Sequence, residues 1–254
     1  MKMEIVRNRE LAKGIWQMDI TGEFPYDNVQ PGQFIHVRIG EGYDHLLRRP
    51  ISIAEVDLGQ RLLTIVYRIV GDGTNWLTLQ KEGTKLDILG PIGNGFKIER
   101  SNRSLVVGGG IGVPPLYELS KQLVAKGEEL DIFLGFRTAS EAFWLDRFSK
   151  LGDMLVFTED GHLGIKGFVT QGIVSRLSEK INTWDKVYAC GPHGMLKAVK
   201  EIIQDLPIGG GASLEERMAC GVGACYGCTC KTTDEETKRI CVDGPVFSWQ
   251  EVVF

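Results

Sequence analysis

The sequence has no run suited to crossing a bilayer. Its longest stretch free of charge and histidine, Ser104 to Tyr117, has 14 residues with four glycines and two prolines, against the roughly 20 apolar residues that a span requires. It also lacks an N-terminal hydrophobic segment of the secretory kind, because MKMEIVRNRELAKGIWQMDI mixes acids and bases throughout; no membrane partner and a cytoplasmic location are expected. It lacks a basic excess, with Lys+Arg at 29 against Asp+Glu at 33 and a net charge of −4. No cationic stripe answers a phosphate backbone, so nucleic acid is not an expected partner. The four histidines, His36, His45, His162 and His193, offer no pair at metal-ligand spacing and read as structural or solvated. Cysteine is nearly missing from most of the chain: Cys190 stands alone, and the other five lie between Cys220 and Cys241. So local a group cannot staple the whole chain, and in a reducing compartment it reads as metal ligation or redox chemistry.

What is present is an ordinary globular composition, 43% hydrophobic and 24% charged over 254 residues, enough to bury a core and, at about 150 residues per domain, to make one or two units with room for a small third. Up to about residue 98 short strands alternate with turn signals, as in GIWQMDI, QFIHVRI, ISIAEVD, RLLTIVYRI and KLDILG, the pattern of an antiparallel barrel or sandwich. From SLVVGG onward strands alternate with helices: PPLYELSKQLVAKG, LDIFLGF, EAFWLDRFSKLG, DMLVFTED, FVTQGIVSRLS, DKVYACGP and HGMLKAVKEIIQDL. That rhythm predicts a parallel α/β sheet. Leu116, Leu119, Leu123 and Val124 share one helix face with Gly127 at the expected cap, and Leu196, Val199, Ile203 and Leu206 repeat the stripe; both read as core. Past LPIGGGAS the composition turns Cys- and Gly-rich. The expected division is therefore 1–98, 99–208 and 209–254.

Cys220, Cys225, Cys228 and Cys241 form C-x4-C-x2-C-x12-C. The x4 and x2 gaps match the plant-type [2Fe-2S] arrangement, and Gly221, Gly223 and Gly227 supply the backbone freedom and N–H groups that a loop around sulfur needs. The alternative is a structural zinc site of four cysteines, which usually shows two C-x2-C knuckles where this segment has one. Whether Cys225 and Cys228 serve one iron or two is open, and Cys230 falls outside the four-ligand spacing, either a spare thiol or a replacement for a neighbouring ligand. The run VVGGGIGVPPL, with Gly108, Gly109, Gly110 and Gly112, follows a strand and opens a helix. It is either a phosphate-binding turn at a helix N-terminus or simply a tight turn, since a proline stands where G-x-G-x-x-G has its third glycine. Cys190 and Gly191 end another strand, where parallel sheets bind ligands, although Cys190 could equally be a small packing residue. Arg137 after LDIFLGF leaves NAD and NADP undecided. In RRPIS an arginine and Ser52 could hold a pyrophosphate and a flavin edge, or could be only a charged strand end.

In their order, RRPIS (48–52), VYRIVGDGT (66–74), LGPIGNGF (89–96), GGGIGVPPL (108–116), TEDGHLGIKGFVT (158–170), ACGPHGML (189–196) and the four-cysteine motif resemble the flavin reductases of the ferredoxin-NADP reductase type. Within them they resemble the electron-transfer subunits of class 1B dihydroorotate dehydrogenases, over nearly the whole chain. The resemblance implies an FAD-binding barrel, an NAD-binding domain and a C-terminal [2Fe-2S] domain. It implies that Arg49 holds the FAD pyrophosphate and Ser52 the flavin N5 region, with Pro50 and Ile51 shaping the pocket; the wider family often has Tyr at the position of Ile51. Val66, Tyr67 and Arg68 would line the flavin, Gly73 and Thr74 take its phosphates, and Gly108 to Gly112 with Cys190 and Gly191 face the nicotinamide nucleotide. It further implies a partner, an FMN-containing catalytic subunit in a heterotetramer of two plus two, from which electrons cross the cluster and FAD to NAD in pyrimidine biosynthesis. The nearest alternative is the small subunit of an NADH-dependent ferredoxin:NADP oxidoreductase or of a sulfhydrogenase-type complex. A cluster-bearing redox sensor and a zinc-stapled interaction protein are rivals of other classes.

Overall fold

The structure is a computed structural model describing residues 1–40, 42, 45–179 and 184–254. Six strands close an antiparallel barrel in the order β1-β2-β5-β4-β3-β6: β1 (Lys2–Ala12), β2 (Ile15–Gly22), β3 (Phe34–Val37), β4 (Arg49–Asp57), β5 (Leu62–Arg68) and, after helix α1 (Asp72–Thr78), β6 (Lys85–Ile92). Alternation explains the half-buried strands: on β1, Met3 and Ile5 point into the barrel while Lys2 and Glu4 point out.

The second layer is a seven-stranded sheet. Its elements are β7 (Arg103–Gly109), α2 (Pro114–Ala125), β8 (Glu129–Phe136), α3 (Leu145–Phe148), β9 (Asp153–Thr158), β10 (Ile165–Lys166), α4 (Val169–Ser178), β11 (Lys186–Cys190), α5 (His193–Ile203) and β12 (Gly209–Ser213). After a hairpin of β13 (Thr229–Lys231) and β14 (Thr237–Arg239), β15 (Val246–Ser248) returns antiparallel to β12, giving the order β10-β9-β8-β7-β11-β12-β15. Residues 209–213 and 246–248, from the cysteine-rich C-terminal segment, thus extend the same sheet.

The α2 stripe is as expected, since Leu116, Leu119 and Leu123 are fully buried and Gly127 closes the helix at φ +85°. Val124 differs, lying exposed. EAFWLDRFSKLG forms only the one-turn α3, because Trp144 adopts a left-handed backbone (φ +58°) that turns Phe143, Trp144 and Phe148 inward against Tyr117 and Phe136. Three large rings gain more by burial from a bent chain than one helix face could give them. Barrel and sheet meet through an ionic cluster. Glu55 of β4 accepts from Lys121 at 3.1 Å and from Arg147 at 2.5 Å, and Glu118 accepts from the Val56 N–H at 3.1 Å. Among the described residues no helix is long and apolar enough to cross a membrane.

Candidate functional site

The joint opens into one cavity of about 1510 Å³, larger than the roughly 300–1,000 Å³ of an ordinary small-molecule site. From the barrel it is lined by Arg49, Pro50, Ile51 and Ser52 on β4, Val66, Tyr67 and Arg68 on β5, and Thr74 on α1. From the sheet it is lined by Gly109 at the end of β7 with Gly110 and Gly112 beyond it, and by Cys190 at the end of β11 with Gly191 beyond it, all at strand C-terminal ends.

The fold holds these groups in place. Tyr67 is buried with its hydroxyl donating to Asn8 Oδ1 at 3.0 Å, and burial pushes its pKa well up. Asn8 in turn donates to the Leu77 and Gln80 carbonyls, fixing the end of α1. Thr74 Oγ1 accepts from the Val70 and Gly71 N–H groups at 2.9 and 3.3 Å, capping α1. Arg49 Nη1 donates to the Leu47 carbonyl at 2.6 Å, and its guanidinium lies over Gly73, where a Cβ would fall 2.7 Å from Nε. Gly73 therefore sits behind the arginine, outside the cavity lining.

On the sheet side the glycines let two loops meet backbone to backbone. A Cβ on Gly112 would overlap the Cys190 carbonyl, and one on Gly109 would fall 2.6 Å from Met195 Sδ. Gly108 lies beneath the cavity and lets Val113 and Leu134 close on β7. Burial pushes the Cys190 thiol up to about 12, so it is a neutral group in the wall. Sequence reasoning missed two contributors. Glu141 pairs with both Arg68 and Arg137 at 3.4 Å, linking barrel to sheet across the cavity mouth. Residues 213–218 line the cavity beyond β12; the strand-end rule would have found them had LPIGGGAS been read as a strand.

Cys220, Cys225 and Cys228 lie in the loop between β12 and β13, and Cys241 directly follows the β13–β14 hairpin. Cys228 and Cys241 are buried and Cys225 is exposed, and all six cysteines of the chain are free. The Cys220 and Cys225 side chains are neighbours, and Cys241 lies near both Cys228 and Cys220. Backbone N–H groups aim at sulfur: Gly223 at Cys241 (3.2 Å), Gly227 at Cys225 (3.4 Å) and Val222 at Cys220 (3.5 Å). The Val222 and Cys225 amides hold the Cys220 thiol down to about 6, whereas burial pushes Cys241 up to about 11. Among the described residues no three Cys, His, Asp or Glu side chains converge on one point. Four thiols in one short segment, with backbone amides aimed at three of them, fit an iron-sulfur centre. Arg239 braces the loop by donating to the Gly223 carbonyl at 3.0 Å and to Asp243 at 3.3 Å, and Asn94 Nδ2 ties it to the barrel through the Val242 carbonyl at 2.9 Å.

A closed barrel facing the strand ends of a nucleotide-type sheet, with a four-thiol loop beside both, is the architecture of a pyridine-nucleotide-linked flavin reductase. Comparison with known proteins gives the particular family. Residues 215–253 match the iron-sulfur cluster binding domain of dihydroorotate dehydrogenase B, and residues 106–201 match the oxidoreductase NAD-binding domain. The chain is 46% identical to the dihydroorotate dehydrogenase B (NAD(+)) electron transfer subunit of Fusobacterium nucleatum subsp. nucleatum, covering 99% of each, and 44% identical to that of Geobacillus sp. (strain WCH70), covering 99% of this chain and 98% of the relative. The solved structure of an NADH-dependent reduced ferredoxin-NADP oxidoreductase, studied for flavin-based electron bifurcation, superposes with a TM-score of 0.89 at 31% identity, over 99% of this chain and 89% of that one. Phthalate dioxygenase reductase, at 18% identity and a TM-score of 0.68 over 94% and 75%, shares the fold. The chain belongs to the family of dihydroorotate dehydrogenase B (NAD(+)) electron transfer subunits. It is an oxidoreductase component that carries electrons to NAD, with FAD and a [2Fe-2S] cluster as its cofactors.

Proposed function

We propose that this chain takes electrons from an FMN-containing dihydroorotate dehydrogenase catalytic subunit and delivers them to NAD in the cytoplasm, as half of a two-plus-two heterotetramer serving pyrimidine biosynthesis. The observation that carries the reading is the single cavity into which flavin-type residues of the barrel and nucleotide-type loops of the sheet both open. When bound, the flavin supplies hydride exchange with nicotinamide and one-electron exchange with the cluster.

The chain's own residues bind, orient and shield. Arg49 presents a fixed guanidinium for the FAD pyrophosphate beside the capped start of α1 at Gly73 and Thr74. Pro50, Ile51, Ser52, Val66, Tyr67 and Arg68 form the wall for the ring system, with Ser52 placed there to meet a polar edge. Gly108 to Gly112, with Cys190 and Gly191, bring backbone close to the nicotinamide nucleotide, and the neutral Cys190 thiol keeps charge out of that wall. Cys220, Cys225, Cys228 and Cys241 would hold the two irons. In this scheme 1–98 serves FAD, 99–208 serves NAD and 209–254 serves the cluster, the last lending β12 and β15 to the sheet.

The test is anaerobic co-purification of the tagged chain from its host, with assay of the eluate for dihydroorotate-dependent NAD reduction. An FMN-bearing partner and NADH formation are expected. A yellow-brown chain with a different partner and no such activity would move it to a ferredoxin:NADP oxidoreductase complex, the reading that the 31% identical neighbour favours.

A further inference from the structure

His36 lies on β3 two residues after Phe34, a residue of the cavity wall, and opposite Pro50 of β4, another. Its exposure is 0%, and neither Nδ1 nor Nε2 has a hydrogen-bond partner among the described residues. An unmet buried polar group costs about 1–3 kcal/mol, and native proteins rarely keep one without a use. The ring faces the thiol loop: a Cβ on Gly221 would fall 2.7 Å from both Cε1 and Nδ1 of His36. Gly221, at φ +68°, follows Cys220 directly and precedes the amide that points at its sulfur. An imidazole carries a ring N–H in either charge state, so the ring has a donor to give.

We propose that His36 is a positioning and tuning residue for the cluster, donating its ring N–H from the barrel side to the sulfur of the iron-sulfur centre held beside Gly221. The proposal rests on Cys220, Cys225, Cys228 and Cys241 being the ligands. The other donors aimed at sulfur are backbone amides of the loop itself; His36 is a side chain of a strand that also walls the flavin cavity. A hydrogen bond to cluster sulfur favours the reduced, more negative state and raises the potential. One barrel strand then sets both the wall of the cavity and the ease of reducing the cluster. The same buried edge explains Gly221, since a larger residue there would push the ring away from the loop.

The experiment is a reductive titration of the assembled complex, followed by the electron paramagnetic resonance signal of the reduced cluster, in wild type, His36→Phe and His36→Gln. Phe keeps a ring without a donor, and Gln keeps a donor. With cluster content unchanged, His36→Phe should make one-electron reduction about tenfold less favourable, a drop of about 59 mV, and His36→Gln should recover most of it. A wild-type potential in a fully loaded His36→Phe protein overturns the proposal, as does a His36→Gln potential as low as that of Phe. Should His36→Phe fail to load, pulsed resonance on wild type with ¹⁵N-labelled histidine decides. Coupling of the reduced cluster to a histidine nitrogen is expected, and coupling to exchangeable water protons alone overturns the idea. A wild-type protein with no [2Fe-2S] signal would instead defeat the ligand assignment.

Discussion

The cavity and the thiol loop are built on opposite plans. Around the cavity the recognised polar side chains Tyr67, Thr74 and Arg49 are already anchored, by Asn8, by the start of α1 and by the Leu47 carbonyl respectively. The loop from Leu214 to Cys228 contains no strand or helix, and three of its amides point at sulfur instead of at carbonyl oxygen. The first site is preorganised by hydrogen-bonded secondary structure. The second spends its donors on atoms that a metal centre completes, so its order is coupled to metal binding.

The largest test of that contrast is Cys225→Ser. Removing one of four thiolates should abolish the cluster's visible absorption and bring NAD-linked turnover with the catalytic subunit to background, while FAD content and NADH-driven dye reduction persist. Parallel measurement of iron and flavin checks it. Flavin lost in step with iron would show that the two sites are one cooperative unit.

A middle-sized effect separates a charge from its support within the cavity. Arg49→Ala removes a charge-assisted contact of about 1.5–3 kcal/mol, so FAD affinity should fall by roughly ten- to a hundredfold at an unchanged fold. Gly73→Ala leaves the charge but places a methyl group 2.7 Å from Nε, and should give a smaller loss by shifting the guanidinium. Fluorescence of released flavin reads both. Equal affinities in Gly73→Ala and wild type would mean that Arg49 has room to move without consequence.

The same difference governs what could be read from sequence. Periodic elements were legible because burial imposes a period: the α2 stripe apart from Val124, the barrel strands, and the run of strand then helix apart from α3 stand where side-chain spacing puts them. Elements made by glycine were not. GGGAS in β12 has no alternation to read and becomes a strand by pairing with β11 and β15, which hid residues 213–218 from the candidate site. Helix α1 was hidden too, since GDGT carries turn residues and the helix is secured by the Thr74 cap. For the thiols, spacing marked the four candidates but not their partners. Only the folded chain brings Cys241 back beside the other three, because it returns through the β13–β14 hairpin to meet the Gly223 amide.

The smallest effect tests whether barrel and sheet are held by charge or by shape. Arg147 meets Glu55 across the joint at 2.5 Å, and its guanidinium also lies 4.1 Å from the Tyr117 ring centroid and 4.4 Å from that of Trp144. The arginine is partly exposed, so solvent screening limits the ion pair to about 1 kcal/mol, of the same order as cation–π contacts at such sites. Arg147→Met keeps the stem over the rings and should lower the melting temperature by about 2–4 °C, the shift expected for about 1 kcal/mol in a chain of this size. Combining it with Glu55→Gln in a double-mutant cycle apportions that loss. A clear coupling energy assigns the joint to charge. A coupling of zero would mean that the aromatic rings alone position Arg147, and that the carboxylate serves Lys121 instead.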